Sequence, residues 1–244
     1  MEQFIFAHRG ASGYAPENTL PSFSLAAKMG AHGIELDVQL SRDGELVVIH
    51  DETVDRTSNG SGWVFQKTLS ELKSLDFSAG FPEQGPVPVP TLAEVFDLIK
   101  PTGLRINIEL KNSRIDYPGL EQRCIDLADR AGMLDRVIFS SFNHNSMQKI
   151  KQIDPDLKCG LLYDAVLVKP WEYAKAIGAD AIHPLFCELF INKDECAAAH
   201  EAGLAVNTWT VNEEEFLRMT IAAGADIIIT NYPDRALRLL SQTR

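Results

Sequence analysis

Short apolar, β-rich runs alternate with amphipathic stretches along most of the chain. The runs predict strands over Phe4–Ala7, residues 33–40, Leu46–Ile49, Leu104–Leu110, Val137–Phe142, Lys158–Tyr163, Ala181–Pro184, Leu204–Trp209 and Ile227–Thr230. The stretches between them carry helix caps and a helical period. They predict helices over Thr19–Met29, Thr91–Lys100, Pro118–Ala131, His144–Ile153, Pro170–Ile177, Asn192–Ala202, Asn212–Ala223 and Pro233–Leu240. Residues 52–90 break this rhythm with turn residues, Trp63, a possible short helix near Leu69–Leu72 and the stretch Pro82–Pro90, and read as an insertion.

Residues 33–51 organise the rest. Asp43-Gly44 between two apolar runs is a strong hairpin signal, read as a two-residue turn with positive φ at both centres. Strands joined so tightly must be antiparallel, because a parallel pair needs a crossover of about a dozen residues. Asp37 is then expected to face His50, and Glu35 to face Glu52. The second hairpin strand therefore cannot belong to a parallel barrel. Without it, eight strand–helix units remain, which predicts an α/β fold: a (β/α)8 TIM barrel spanning residues 1–244 as one catalytic domain, with a small insertion at 52–90 after the hairpin that follows strand 2.

Composition narrows the function classes. A net charge of −11 argues against a nucleic-acid partner. Cys124, Cys159, Cys187 and Cys196 have no metal-ligand spacing and read as reduced core residues. No signal peptide, membrane span or stable membrane anchor is expected, and a cytoplasmic location is the default.

Barrel chemistry gathers at the C-terminal strand ends. There the sequence supplies His8 and Arg9; Glu35 and Asp37 with His50 returned by the hairpin; Asn107, Glu109 and Lys111; then Phe142, Tyr163, His183, Trp209 and Asn231. Alternation puts Glu35 with Asp37, and Glu109 with Lys111, on one face of their strands. Glu35, Asp37 and Glu109 form an all-oxygen set suited to one hard divalent cation, Mg2+ or Ca2+. The plain alternative is that they only pair with Arg9 and Lys111. His8 and His50 are the acid–base candidates, since imidazole titrates nearest neutral pH. His183 is equally readable as a core histidine, and His32, His144 and His200 as structural. Arg9 and Lys111 suit an anionic phosphate. Phe142 and Trp209 are candidates for a pocket wall, Asn18 for a residue facing the site, and Glu17 for a tether of its loop.

These residues fall into ordered motifs: His8-Arg9-Gly10, Pro16-Glu17-Asn18-Thr19, Glu35-x-Asp37, His50-Asp51 and Glu109-x-Lys111, with a late Thr208-Trp209-Thr210-Val211-Asn212 segment. Together they resemble the glycerophosphodiester phosphodiesterase family across the whole chain, including the place of the insertion. The resemblance implies hydrolysis of a small-molecule glycerophosphodiester to glycerol 3-phosphate and an alcohol. It implies a divalent cation on Glu35, Asp37 and Glu109, acid–base work by His8 and His50, and phosphate binding by Arg9 and Lys111. It also implies attack by the glycerol 2-hydroxyl through a cyclic phosphate, which the residues do not distinguish from direct attack by water.

Three competing readings stand beside this one. A lysophospholipase D or related phospholipase would use Trp63, Phe65 or Phe81 as an apolar lip. A Schiff-base aldolase would use Lys111. A non-enzymatic barrel would bind without turnover.

Overall fold

The computed structural model describes residues 2–243. Eight parallel strands close into a barrel: β1 (Phe4–His8), β2 (Gly33–Leu40), β4 (Arg105–Leu110), β5 (Val137–Ser141), β6 (Lys158–Tyr163), β7 (Ala181–Pro184), β8 (Ala205–Thr208) and β9 (Ile227–Thr230). Closure comes from β1, which pairs with β2 on one side and β9 on the other. The outer helices are α1 (Leu20–Lys28), α3 (Leu92–Ile99), α4 (Leu120–Ala131), α5 (His144–Ile153), α6 (Pro170–Ile177), α8 (Glu195–Glu201), α9 (Glu214–Ala223) and α10 (Pro233–Ser241). The TIM-barrel expectation holds.

Local chemistry explains the element boundaries. Thr19 and Thr91 each accept a hydrogen bond from the amide three residues on and so cap α1 and α3. The main core lies between the strands and the helices. Phe23, Leu36, Phe96, Ile106 and Phe139 are among its fully enclosed side chains. Burial of this kind contributes roughly 1.5–3 kcal/mol per large apolar side chain.

The hairpin differs from expectation by one residue. β3 (Leu46–Val48) is antiparallel to β2, but its register sets Val38 opposite Val48 and Leu40 opposite Leu46. Asp37 therefore faces Ile49, whose amide donates to its carbonyl at 3.0 Å. The cause is an extra residue in the turn. Gly44 N–H donates to Ser41 O, and Ser41 N–H to Glu45 O, so Arg42, Asp43 and Gly44 form a three-residue loop. Only Gly44 has positive φ, at 83°. This is a type I turn closed by a left-handed glycine, not the two-residue turn expected of Asp-Gly. Glu52 does not face Glu35; it ion-pairs with Arg114 at 3.7 Å.

Between β3 and α3 lies α2 (Leu69–Lys73), capped by Thr68, and there Val54, Val64, Leu72, Phe77 and Val89 pack with Val47 and Ile49 of the hairpin in a second, smaller core. A four-residue helix, α7 (Glu188–Ile191), precedes α8 and is too short to announce itself by periodicity. It leaves Cys187 exposed, contrary to the expected core role, whereas Cys124, Cys159 and Cys196 are buried. Among the described residues, no helix is long and apolar enough to cross a membrane.

Candidate active site

Strand register assembles the site in rows. His8 on β1 is level with Glu35 on β2, and Glu35 is level with Asn107 on β4. One step higher, Asp37 is level with Glu109. The alternation of each strand turns these side chains to one face. Glu35, Asp37 and Glu109 each bring a carboxylate oxygen within 4.8 Å of the others. A cavity of about 20 Å³ among His8, Glu35, Asn107, Glu109, Leu162, Trp209 and Ile229 adjoins them, large enough for roughly one water.

Two cations sit among the acids. Arg9 has left-handed backbone, at φ 55°. Its amide donates to Glu35 Oε2 at 3.0 Å, its Nη1 donates to Glu17 Oε1 at 2.8 Å, and its Nε lies 3.4 Å from Asp37 Oδ2. Lys111 Nζ donates to Glu109 Oε1 at 2.8 Å and lies 3.8 Å from Asp37 Oδ1. Asn18, also left-handed at φ 57°, donates from Nδ2 to Asp37 Oδ2 at 2.8 Å. The structure thus sets Asn18 to orient Asp37.

The electrostatics are uneven. Burial, reinforced by Asp37 and Glu109, pushes the Glu35 carboxyl well above the usual range. Burial also raises Glu109, against the pull of Lys111. Burial opposes ionisation of Asp37 too, but Arg9, His50 and Lys111 outweigh it and hold this carboxyl below its ordinary value. Burial would lower the Lys111 ammonium, yet Glu109 and Asp37 raise it overall. Asp37 Oδ1 is buried without a hydrogen-bond partner. Three close carboxylates, one of them with an orphaned oxygen and the other two resisting ionisation, fit a divalent cation's oxygen shell.

The two histidines are held differently. His8 Nδ1 meets Asn231 Oδ1 at 2.7 Å. An amide oxygen only accepts, so Nδ1 carries the proton and Nε2 keeps its lone pair. Burial, aided by the Arg9 charge, pulls the ring down to about 3, so it is neutral at pH 7. His50 Nδ1 instead meets the Asp51 carboxylate at 2.6 Å. Asp51 is held down to about 2, first by its bonds to Arg56 and then by His50.

The hairpin brings His50 to the mouth by a route the sequence reading did not contain. Beyond Val48 the chain leaves the strand ladder. The buried Gln39 amide then donates to the carbonyls of Ile49, His50 and Asp51 at 3.0, 3.1 and 2.7 Å, while Tyr117 Oη donates to Gln39 Oε1 at 2.9 Å. A polar residue inside the alternating run of β2 was the available signal.

Phe142 and Trp209 meet edge to face at 5.5 Å, and Trp209 lines the cavity. His183 is not brought to the mouth. It is fully enclosed, its Nε2 is 2.8 Å from Asn207 Nδ2, and its ring lies over Gly160, where any Cβ would come within 2.0 Å of it. His32, His144 and His200 hold backbone or carboxylate partners outside the site.

Comparison with known proteins identifies the family. Residues 8–235 match the model of the glycerophosphoryl diester phosphodiesterase family. A glycerophosphodiester phosphodiesterase of Caldanaerobacter subterraneus is 44% identical over 241 residues, covering 98% of each chain. One of Bacillus altitudinis is 40% identical over 98% of this chain and 99% of its own. A solved Oleispira antarctica phosphodiesterase, in complex with the product sn-glycerol-3-phosphate, is 30% identical with a TM-score of 0.87, covering 98% of this chain and 97% of its own. With a family match from the first barrel strand to the last helix, the chain belongs to the glycerophosphoryl diester phosphodiesterase family.

Proposed function

We propose that this chain acts as one catalytic unit that hydrolyses glycerophosphodiesters to sn-glycerol 3-phosphate and an alcohol, with a divalent cation on Glu35, Asp37 and Glu109. The observation that carries the reading is the meeting of three carboxylates, two cations and two differently partnered histidines at one barrel mouth. Family membership adds the substrate class.

A phosphodiester is anionic, so a nucleophile approaches it only if that charge is screened. When bound, the cation would polarise phosphoryl oxygens and offset charge that develops as the bond to phosphorus forms. Arg9 and Lys111 supply fixed positive charge beside it, and Arg9 offers a planar fork suited to phosphate oxygens. His8 serves as the base: Nδ1–H is committed to Asn231, which leaves the lone pair on Nε2, where the Thr210 hydroxyl lies 3.5 Å away. His50 serves as the acid that protonates the leaving alkoxide. The Asp51 carboxylate behind Nδ1 orients the ring and offsets the charge of its doubly protonated form. Trp209 and Phe142 wall the side where the glycerol carbons would lie.

The competing readings find less support. A Schiff-base lysine needs a depressed ammonium, and Lys111 is raised by Glu109 and Asp37. Of the lip candidates for a lipid substrate, Trp63 is exposed but packs on Phe65 at 5.8 Å within the insertion.

The test is release of glycerol 3-phosphate from glycerophosphocholine and glycerophosphoethanolamine, in EDTA and then with Mg2+ or Ca2+. Divalent-dependent release, lost in His50→Ala at unchanged melting temperature, is the expected result. No release with any ion, alongside turnover of lysophosphatidylcholine micelles, would replace this reading with the lipid one.

A further inference from the structure

One side chain of the insertion reaches the machinery of the site and is assigned no part in the reaction proposed above. Arg56 grips two carboxylates at once. Its Nη1 and Nη2 donate to Glu17 Oε2 and Oε1 at 2.6 and 2.7 Å. Its Nε and Nη2 donate to Asp51 Oδ2 and Oδ1 at 2.7 and 3.0 Å. Each carboxylate holds a residue of the site in turn. Glu17 accepts from Arg9 at 2.8 Å, and Asp51 meets His50 Nδ1 at 2.6 Å.

We infer that Arg56 is a positioning residue that locks the phosphate-binding arm, Arg9–Glu17, to the proton-transfer arm, His50–Asp51. This inference rests on the phosphodiesterase reading. The two arms come from separate parts of the chain. Glu17 lies in the loop between β1 and α1, whereas Asp51 follows β3. They share no strand ladder at that point, so their spacing depends on side chains. A guanidinium is rigid and planar and can serve two carboxylates along two edges. A lysine offers one point charge on a flexible stem and cannot set both distances.

A purely structural role predicts something different. The Arg56 side chain is 49% exposed, and exposed ion pairs add little to stability. Loss of Arg56 as a surface contact would leave kinetics unchanged and the melting temperature nearly so. Loss of a clamp would let His50 and Arg9 drift relative to one another. A misplacement of about 1 Å is enough to cost on the order of 100-fold in rate.

The experiment compares wild type, R56A, R56K, E17Q and D51N for glycerol 3-phosphate release and for melting temperature. Expected are a roughly 10- to 100-fold loss of kcat/KM in R56A, partial activity in R56K, and recovery of R56A by added guanidinium ion. E17Q should act mainly on KM, through Arg9, and D51N mainly on kcat, through His50. R56A should affect both, and the double variants R56A/E17Q and R56A/D51N should lose less than the sum of their parts, as coupled residues do. Wild-type kinetics in R56A, or strictly additive losses, would overturn the clamp while leaving the phosphodiesterase reading intact. An inactive wild type would overturn both. Should R56A fail to fold, R56K carries the same kinetic test with volume and charge retained.

Discussion

His8 and Asn231 join the first barrel strand to the residue that follows the last one. The bond of 2.7 Å between His8 Nδ1 and Asn231 Oδ1 lies just above the β1–β9 seam that closes the barrel. Fold closure and histidine tautomer are therefore set at one place. Asn231 is itself held, since its amide donates to Asn212 Oδ1 at 2.9 Å.

Replacing Asn231 with Ala should free the ring to take either tautomer and to tilt. Acid–base groups contribute about 10²–10⁴-fold, and disordering one should lower kcat by roughly 10- to 100-fold. Asn231→Asp, which keeps an acceptor at the same place, should retain more activity than Asn231→Ala. Steady-state kinetics on glycerophosphocholine with melting curves checks this. Wild-type kcat in Asn231→Ala would remove the base role from His8.

Glu35 gives a second prediction, read without turnover. Its carboxyl is raised by burial and by Asp37 and Glu109, so the ion-free fold carries a penalty at neutral pH. In EDTA, Glu35→Gln should melt a few degrees above wild type, because a neutral amide replaces the carboxyl that burial and its acid neighbours disfavour. With millimolar Mg2+ or Ca2+ the order should reverse, since a ligand that binds only the folded state stabilises it by an amount that grows with the logarithm of its affinity. Equal upward shifts of both proteins on adding either ion would sink the ligand role of Glu35.

The barrel was legible because its signals are local. Apolar runs marked the strands, and Thr19 and Thr91 marked helix starts. His8, Glu35, Asp37 and Glu109 followed from them, because strand ends and alternation place side chains without knowledge of tertiary contacts. The hairpin register was missed by one residue because Asp43-Gly44 suits two turn types, and only the backbone shows that Gly44 alone turns left-handed. Gln39, Arg56 and the particular partner of Asn18 escaped for a different reason. They act on residues 10 to 12, 39 and 19 positions away, and no periodicity records such a partner. His183 carried the right residue type at a strand end, but Gly160 opens a space inside the barrel that draws its ring inward.

The last prediction concerns stability away from the site. Glu188 opens the short helix α7 and is 2% exposed, and neither of its carboxylate oxygens has a well-formed hydrogen bond. Burial, then the neighbouring Glu195, push it from 4.5 up to about 7 against the pull of the Ala165 amide, with a smaller push from Asp164. Glu195 itself accepts from Tyr163 Oη at 2.7 Å and from Asn192 Nδ2 at 2.9 Å. The folded state therefore holds a proton that the unfolded chain releases between about pH 4.5 and 7. Across that window the unfolded state binds fewer protons, so stability falls as pH rises and the full penalty is present above pH 7. One pKa unit corresponds to about 1.4 kcal/mol, so the penalty is bounded at roughly 3.5 kcal/mol. Glu188→Gln keeps the shape and removes the charge. It should melt several degrees above wild type at pH 8.5, at roughly 2–4 °C per kcal/mol for a chain of this size. The two curves should converge below about pH 3.5, a unit under the unfolded value of 4.5, where both states of wild type are largely protonated. Calorimetric melts across that range decide the matter: a Glu188→Gln advantage that stays constant with pH would mean that Glu188 is destabilising for reasons other than its charge.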